Sequence, residues 1–107
     1  MSATRKPRAD GSSWHVYLIR AGDGSLYTGI TTDVRRRLAE HEAGGRESAR
    51  YLRGRGPLQL AFRKRVGSRN LALRVERRVK ALTRGEKERI VRSKPTLRRL
   101  LSRLGLE

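Results

Sequence analysis

The chain has 107 residues, in which 27 Lys and Arg against 10 Asp and Glu give a formal net charge of +17. That length suits one compact domain, the absence of cysteine excludes disulfides and thiolate metal sites, and no apolar run approaches the roughly 18–20 residues of a membrane span, so we expect a cytoplasmic protein. Because 22 of the 27 bases are arginine, whose guanidinium suits phosphate oxygens, the charge predicts a nucleic-acid partner and no membrane.

The first predicted elements are a tail and a β-hairpin. Residues 1–12 contain three bases and no apolar periodicity, which predicts a disordered basic tail. Apolar and aromatic side chains dominate residues 14–19, and a second short strand is predicted over residues 25–30. The turn-forming sequence of residues 21–24 lies between them, so the two strands are expected to pair as a hairpin.

The length of the hairpin loop decides where two tyrosines point. A two-residue loop, Asp23-Gly24, would send Tyr17 and Tyr27 to opposite faces of the sheet. A three-residue loop over residues 22–24, with its last glycine left-handed in a bulge, would place both tyrosines on one face as diagonal neighbours. The sequence leaves both loops open.

A helix is predicted over residues 34–43, between candidate N-caps at residues 31–33 and two glycines at residues 44–45. At 100° per residue, Arg37 and His41 border the buried face of this helix, whereas its other two arginines point away. Arg37 and His41 are therefore candidate site residues.

Residues 44–57 are rich in Gly, Arg and Ser and predict a basic loop. Three of its arginines are candidates for phosphate contacts in DNA, and they are Arg50, Arg53 and Arg55.

The remaining elements complete the predicted fold. Alternation predicts a third strand over residues 58–66, and helical periodicity predicts a helix over residues 70–82 with Ser68 as its cap. A short helix after Thr83 and another periodic segment after Pro95 follow. The order β-β-α-β-α-α predicts an α/β fold, a small sandwich whose three strands are covered by helices.

Glu76 is the only acid between Glu47 and Glu86, in a stretch crowded with arginine. It could form an ordinary i,i+4 ion pair with Lys80, worth a few tenths of a kcal/mol. It could instead bind a divalent cation, because Mg²⁺ takes one or two protein carboxylates and fills its shell with water and substrate phosphate. Lys80 itself is a further candidate for contact with DNA.

Tyr17 and Tyr27 also allow two interpretations. A half-buried strand tyrosine is ordinary packing with a hydroxyl at the rim. With about 0.1% phenolate at neutral pH, a tyrosine acts as a general base only beside cations or a group that accepts its proton. Arg37, His41 and a metal at Glu76 would supply those neighbours, so convergence of these groups at one corner favours a catalytic site.

These residues resemble the motifs of the GIY-YIG nuclease superfamily, particularly its small stand-alone bacterial members. The resemblance covers residues 14–89 and rests on the order and spacing of five elements: Val16-Tyr17-Leu18, Tyr27-Thr28-Gly29, Arg37, His41, and Glu76 at the end of Ala-Leu-Arg-Val-Glu. The sequence departs from the motifs where His15-Val16 replaces Gly-Ile and where Thr28 replaces Ile.

The resemblance implies a central three-stranded antiparallel sheet and cleavage of phosphodiester bonds in DNA with one Mg²⁺ or Mn²⁺ ion. It implies these roles by motif position: Tyr17 as general base, Tyr27 in positioning, Gly29 leaving the backbone open to substrate, Arg37 on phosphate charge, His41 in the proton path and Glu76 on the metal. Members of the superfamily differ over which tyrosine acts on water, so Tyr27 is the alternative base.

We therefore expect a nuclease domain over residues 13–92, followed by an amphipathic helical extension over residues 93–107. We expect a monomer without a small-molecule cofactor, acting in DNA repair or recombination. The rival interpretation is a non-catalytic nucleic-acid-binding protein of ribosomal or nucleoid type, which would carry the same arginines. Only the nuclease interpretation gives a use to a lone carboxylate beside two tyrosines.

Overall fold

The structure, a computed structural model, describes residues 13–107, so the predicted tail over residues 1–12 lies outside the described residues. The described elements are three strands, four helices and one short 3₁₀ turn, in this chain order: β1 (Trp14–Arg20), β2 (Leu26–Thr31), α1 (Val34–Ala43), the turn (Arg50–Leu52), β3 (Gln59–Gly67), α2 (Arg69–Lys80), α3 (Arg84–Ser93) and α4 (Leu97–Arg103). The strands form one antiparallel sheet in the order β2-β1-β3, which confirms the expected fold class.

The hairpin between β1 and β2 has the three-residue loop. A hydrogen bond from the Ala21 N–H to the Ser25 carbonyl (2.9 Å) encloses residues 22–24, and the last of these, a glycine, adopts φ 89°. The resulting register sets Tyr17 and Tyr27 as diagonal neighbours, so both side chains lie on one face of the sheet. The choice that the sequence left open is thus decided for the longer loop.

Contacts distant in sequence hold this loop in place. The Gly22 N–H donates to the Arg55 carbonyl (2.5 Å), and a Cβ at Gly22 would collide with the Gly56 carbonyl oxygen. The Arg55 guanidinium also pairs with the Asp23 carboxylate at 2.7 Å. The basic loop over residues 44–57 is therefore fastened to the hairpin rather than free of it.

The helices begin and end where local chemistry directs them. Asp33 and Ser68 cap α1 and α2, because each side chain accepts a hydrogen bond from the backbone N–H three residues later. Thr83 and Glu86 form a reciprocal capping box at the start of α3. Gly44 ends α1 in the left-handed conformation, at φ 69°.

Each face of the sheet has its own apolar cluster. Helices α2, α3 and α4 cover one face, where the buried members are Val16, Leu18, Leu26, Phe62, Val66, Ala72, Val75, Val79, Ile90, Leu100 and Leu104. Helix α1 and the basic loop cover the other, where the buried members are Tyr17, Ile19, Ala21 and Leu52. The tyrosine face is therefore the one that the basic loop approaches.

The last helix belongs to the first of these clusters. Leu100 is 0% exposed and Leu104 is 5% exposed, and both belong to the buried cluster that also contains side chains of β1, β3 and α2. The division into a domain over residues 13–92 and an extension over residues 93–107 stays a prediction. Within residues 13–107, every helix is too short or too polar to cross a membrane.

Candidate active site

Tyr17, Tyr27 and His41 meet on the sheet face that α1 covers. Tyr17 is 2% exposed, and its Oη lies 3.0 Å from His41 Nε2. The Tyr27 ring packs edge-on against the same imidazole, with 5.7 Å between centroids. Gly29, opposite Tyr17 on β2, makes room for the tyrosine, because a Cβ there would overlap its ring and hydroxyl. The expected role of Gly29 in the approach of substrate stays a prediction.

Arg37 borders this group, as the helical periodicity of α1 predicts. Its Nη1 donates to the Glu40 carboxylate (2.9 Å) and to the Glu47 carbonyl (2.6 Å). The guanidinium also interacts with the Tyr17 hydroxyl, and it lowers the pKa of that phenol. Because a guanidinium carries five N–H groups, Arg37 retains donors for a phosphate oxygen.

The Tyr17 phenol is protonated at neutral pH. Burial raises its pKa to about 12, the charges of Tyr27 and Glu76 act in the same direction, and Arg37 opposes them. Positive charge added beside Glu76 would cancel one of the effects that hold this pKa high. Tyr17 is thus placed to respond to a cation on that carboxylate.

His41 is uncharged at neutral pH. Its side chain is 2% exposed, and burial, aided by the positive charge of Arg37 and opposed by Glu40, lowers its pKa to about 4. The backbone N–H of Ala49 donates to His41 Nδ1 at 3.1 Å. Both ring nitrogens therefore have a partner within the described residues.

Glu76 projects from the flank of α2 and is partly buried. Its carboxylate influences the pKa of Tyr17, and it forms the i,i+4 ion pair with Lys80 at 3.4 Å. Among residues 13–107, no three His, Cys, Asp or Glu side chains gather as metal ligands. A single carboxylate fits a hard, largely hydrated ion such as Mg²⁺ or Mn²⁺, and it does not fit zinc, which needs several nitrogen or sulfur ligands.

The three loop arginines that the sequence selects for DNA have different surroundings. Arg50 and Arg53 are exposed, and Arg53 Nη2 donates to the Arg46 carbonyl at 3.4 Å. Arg55 is tied to Asp23 by the ion pair described above. The structure therefore gives Arg55 a role in holding the loop, while contact of these residues with DNA stays a prediction.

Tyr51 is a site neighbour that the sequence analysis missed. Its ring, 42% exposed, stacks on Tyr27 at 6.0 Å between centroids, and the Arg55 guanidinium lies 4.4 Å from its centroid. The only sequence signal was an aromatic residue inside a Gly- and Arg-rich loop. The 3₁₀ turn at Arg50–Leu52, which local periodicity did not indicate, brings Tyr51 to the site.

Arg63 was missed as well. In the register of β1 and β3, Arg63 lies directly opposite Tyr17, and Arg65 lies opposite His15. Burial lowers the pKa of His15, and both guanidinium charges add to this effect. The spacing of two between Arg63 and Arg65 in a predicted strand was a signal that both point to one face, which here is the face of the tyrosines.

Comparison with known proteins identifies a family, similar sequences and a similar solved structure. A family described as GIY-YIG catalytic domain matches residues 13–89. A UPF0213 protein of Klebsiella pneumoniae is 56% identical over 91 residues, covering 85% of this chain and 84% of its own, and the UPF0213 protein YhbQ of Salmonella typhi is 53% identical, covering 85% and 89%. The solution structure of a UPF0213 protein from Bacillus halodurans is 44% identical with a TM-score of 0.50, covering 76% of this chain and 84% of that one.

Proposed function

Since the chain belongs to the GIY-YIG catalytic domain family, a family of nucleases, we propose that it is a divalent-metal-dependent endonuclease that hydrolyses phosphodiester bonds in DNA. The observation that carries this proposal is the contact of the Tyr17 hydroxyl with His41, within electrostatic reach of Arg37 and Glu76. This group joins a candidate base, a phosphate-binding cation and a metal-binding carboxylate at one corner of the sheet.

The reaction asks for three tasks that these side chains can perform. Tyr17, after losing its phenol proton to solvent, takes a proton from the attacking water, whose oxygen forms the new bond to phosphorus as the bond to the leaving oxygen breaks. Arg37 donates hydrogen bonds to the phosphoryl oxygens, where negative charge grows in the transition state. Tyr27 packs edge-on against the imidazole of His41, so it positions the group that contacts the Tyr17 hydroxyl.

Glu76 would hold the metal, which, when bound, supplies positive charge for the phosphate oxygens and the leaving group. In the structure Lys80 forms an ion pair with this carboxylate. A metal ion would therefore have to displace the Lys80 ammonium group, whose side chain is 53% exposed. An i,i+4 ion pair of this kind is worth a few tenths of a kcal/mol, so it would oppose binding of a divalent ion only weakly.

We propose that the substrate is DNA and that the enzyme acts in repair or recombination. The support is the net charge of +17 together with bases on the tyrosine face and in the loop beside it, namely Arg50, Arg53 and Arg63. Such contacts neutralise phosphates in any sequence, so they favour recognition of DNA by shape and charge.

A cleavage assay on labelled linear, nicked and branched DNA, with Mg²⁺, Mn²⁺ or EDTA, tests the proposal. We expect the parent chain to cut only with a divalent ion, and Tyr17→Phe to cut at least about 100-fold more slowly while it keeps its affinity for DNA. The matched control is Tyr51→Phe, which also deletes one phenolic hydroxyl, and it should cut within a few-fold of the parent.

Two results would contradict the proposal. Cleavage by Tyr17→Phe at the parent rate would remove Tyr17 as the base and make Tyr27 the next candidate. Tight binding of DNA by the parent without cleavage in either metal would support the rival interpretation, a non-catalytic binding protein.

A further inference from the structure

The hydrogen bonds of His41 fix which ring nitrogen carries the proton. The backbone N–H of Ala49 lies 3.1 Å from Nδ1. A backbone N–H can only donate, so Nδ1 must offer its lone pair and carry no hydrogen. In an uncharged imidazole the single proton is then on Nε2, the nitrogen that lies 3.0 Å from Tyr17 Oη.

The surroundings of His41 keep it uncharged. Its own helix presents Arg37, which disfavours a second positive charge, and Glu40, which opposes that effect more weakly. The strands present the rings of Tyr17 and Tyr27, and the loop presents the Ala49 amide. Burial is the main cause of the lowered pKa of His41 and Arg37 adds to it, so the imidazolium form is disfavoured at neutral pH.

We propose that the Ala49 amide is a positioning group that holds His41 as the Nε2–H tautomer, so that His41 donates a hydrogen bond to the Tyr17 hydroxyl and does not accept its proton. The tautomer follows from the contacts alone. Its consequence for cleavage rests on the proposed function.

The loop is folded to deliver this amide. Gly44 reverses the chain after α1, and the Ser48 hydroxyl, 5% exposed, lies 3.3 Å from the His41 carbonyl. Ala49 itself packs against the apolar cluster that contains Leu52. The contacts of Ser48 and Ala49 therefore hold the amide in place against the imidazole.

This arrangement changes the part played by His41. A donor at Nε2 stabilises the Tyr17 phenolate more than the phenol, because a hydrogen bond to a charged acceptor is about twice as strong as one to a neutral acceptor. The proton on Tyr17 must point away from His41, and it leaves towards solvent or substrate. Tyr17 can then accept a proton from water while its bond from His41 persists.

The nitrogen chemical shifts of the His41 side chain, measured by NMR on the labelled parent protein without metal or DNA, test the tautomer directly. We expect the pattern of an imidazole protonated at Nε2 alone at neutral pH. A ring protonated at Nδ1, or at both nitrogens, would overturn the proposal. The spectrum does not depend on cleavage, so it separates this inference from the proposed function.

Ala49→Pro tests the amide itself, since it removes the N–H at a residue whose φ of −62° suits proline. We expect signals of the Nδ1–H tautomer to appear in this variant and not in Ala49→Gly, which keeps the N–H. An Ala49→Pro protein with the parent tautomer would show that the amide is not what holds the proton. The parent spectrum decides the tautomer even if this variant does not fold.

His41→Gln separates a donor from a proton acceptor, because the glutamine amide can donate from near the Nε2 position but cannot take up a proton. We expect His41→Gln to cleave DNA at least about tenfold faster than His41→Leu, because only the glutamine keeps a donor to the charged phenolate. Equal loss in the two variants would indicate that His41 takes the proton from Tyr17.

Discussion

Burial has opposite effects on the pKa values of Tyr17 and His41 but favours the uncharged form of both. It raises the pKa of Tyr17 to about 12 and lowers that of His41 to about 4. The site in the absence of metal therefore carries Arg37 and Glu76 as its charges, while the phenol and the imidazole stay neutral. If Tyr17 is the base, as proposed, catalysis at neutral pH needs additional positive charge near its phenol, and a cation on Glu76 would supply it.

The lowered pKa of His41 makes the fold sensitive to acid. The unfolded chain binds a proton at His41 below pH 6.5, whereas the folded chain does so only near pH 4, so stability is lost as the pH falls through this window. The shift corresponds to about 3 kcal/mol. Urea unfolding at about pH 7 and about pH 4.5 should show a fall in the free energy of unfolding of that order.

His41→Gln is the control for this prediction, because it removes the titrating ring. His15, whose pKa is also lowered by burial, is present in both proteins and its contribution cancels. In His41→Gln, the fall in the free energy of unfolding between the two pH values should be smaller than in the parent. An equal fall in both proteins would mean that His41 does not cause the acid sensitivity.

Among the secondary-structure elements, the sequence predicted those features that depend only on neighbouring residues. Asp33 and Ser68, both candidate caps in the sequence, cap their helices in the structure because a cap needs only its own next three residues. The hairpin loop was undecided, because its local sequence allows both lengths, and in the structure Gly22 also contacts the backbone of Arg55. That contact joins distant segments and has no local signal.

The candidate site divides in the same way. Helical periodicity predicted Arg37 and His41 at the edge of the buried face of α1, and in the structure Arg37 is half-buried while His41 is buried. Neither the contact of the Ala49 amide with His41 nor the stacking of Tyr51 on Tyr27 was predictable. Both contacts depend on the conformation of the basic loop. That conformation could not be predicted, because the glycine- and arginine-rich sequence of the loop has no helical or strand periodicity.

Strand β2 carries an energetic defect that can be removed. Thr28 is 2% exposed, and its Oγ1 has no hydrogen-bond partner among the described residues. Thr28→Val keeps the shape of the side chain and deletes the unpaired hydroxyl, so the free energy of unfolding should rise by about 1 kcal/mol. Denaturant unfolding measures the change.

Thr31 provides the matched control on the same strand. Its side chain is also buried, but its Oγ1 accepts a hydrogen bond from the Asp33 N–H at 3.1 Å. Thr31→Val should therefore lower the free energy of unfolding by about 1 kcal/mol. Destabilisation by both substitutions would show that Thr28 has a partner in solution.

At the scale of the whole molecule, the positive charge is spread over both faces, and the site occupies one of them. If DNA lies against the tyrosine face, Arg50→Ser with Arg53→Ser should flatten the slope of log affinity against log salt by up to about 1.8, or about 0.9 for each phosphate that the variant no longer neutralises. Arg55 is left in place because its ion pair with Asp23 holds the loop.

A control pair lies on the helices that cover the opposite face, at Arg92 and Arg99, both exposed. Arg92→Ser with Arg99→Ser removes the same net charge and should leave the salt slope close to that of the parent. Equal flattening by the two double variants would show that DNA contacts the chain without preference for the tyrosine face.

We propose that Glu76 binds a catalytic metal and is not merely the ion-pair partner of Lys80. The most direct measurement is the rate of DNA cleavage by Glu76→Gln across a Mg²⁺ titration at saturating DNA, beside Lys80→Gln, which breaks the same ion pair from its other end. We predict that Glu76→Gln loses cleavage at every Mg²⁺ concentration while its stability changes by only a few tenths of a kcal/mol, and that Lys80→Gln still cuts. Cleavage by Glu76→Gln at the parent rate in matched Mg²⁺ would contradict the claim.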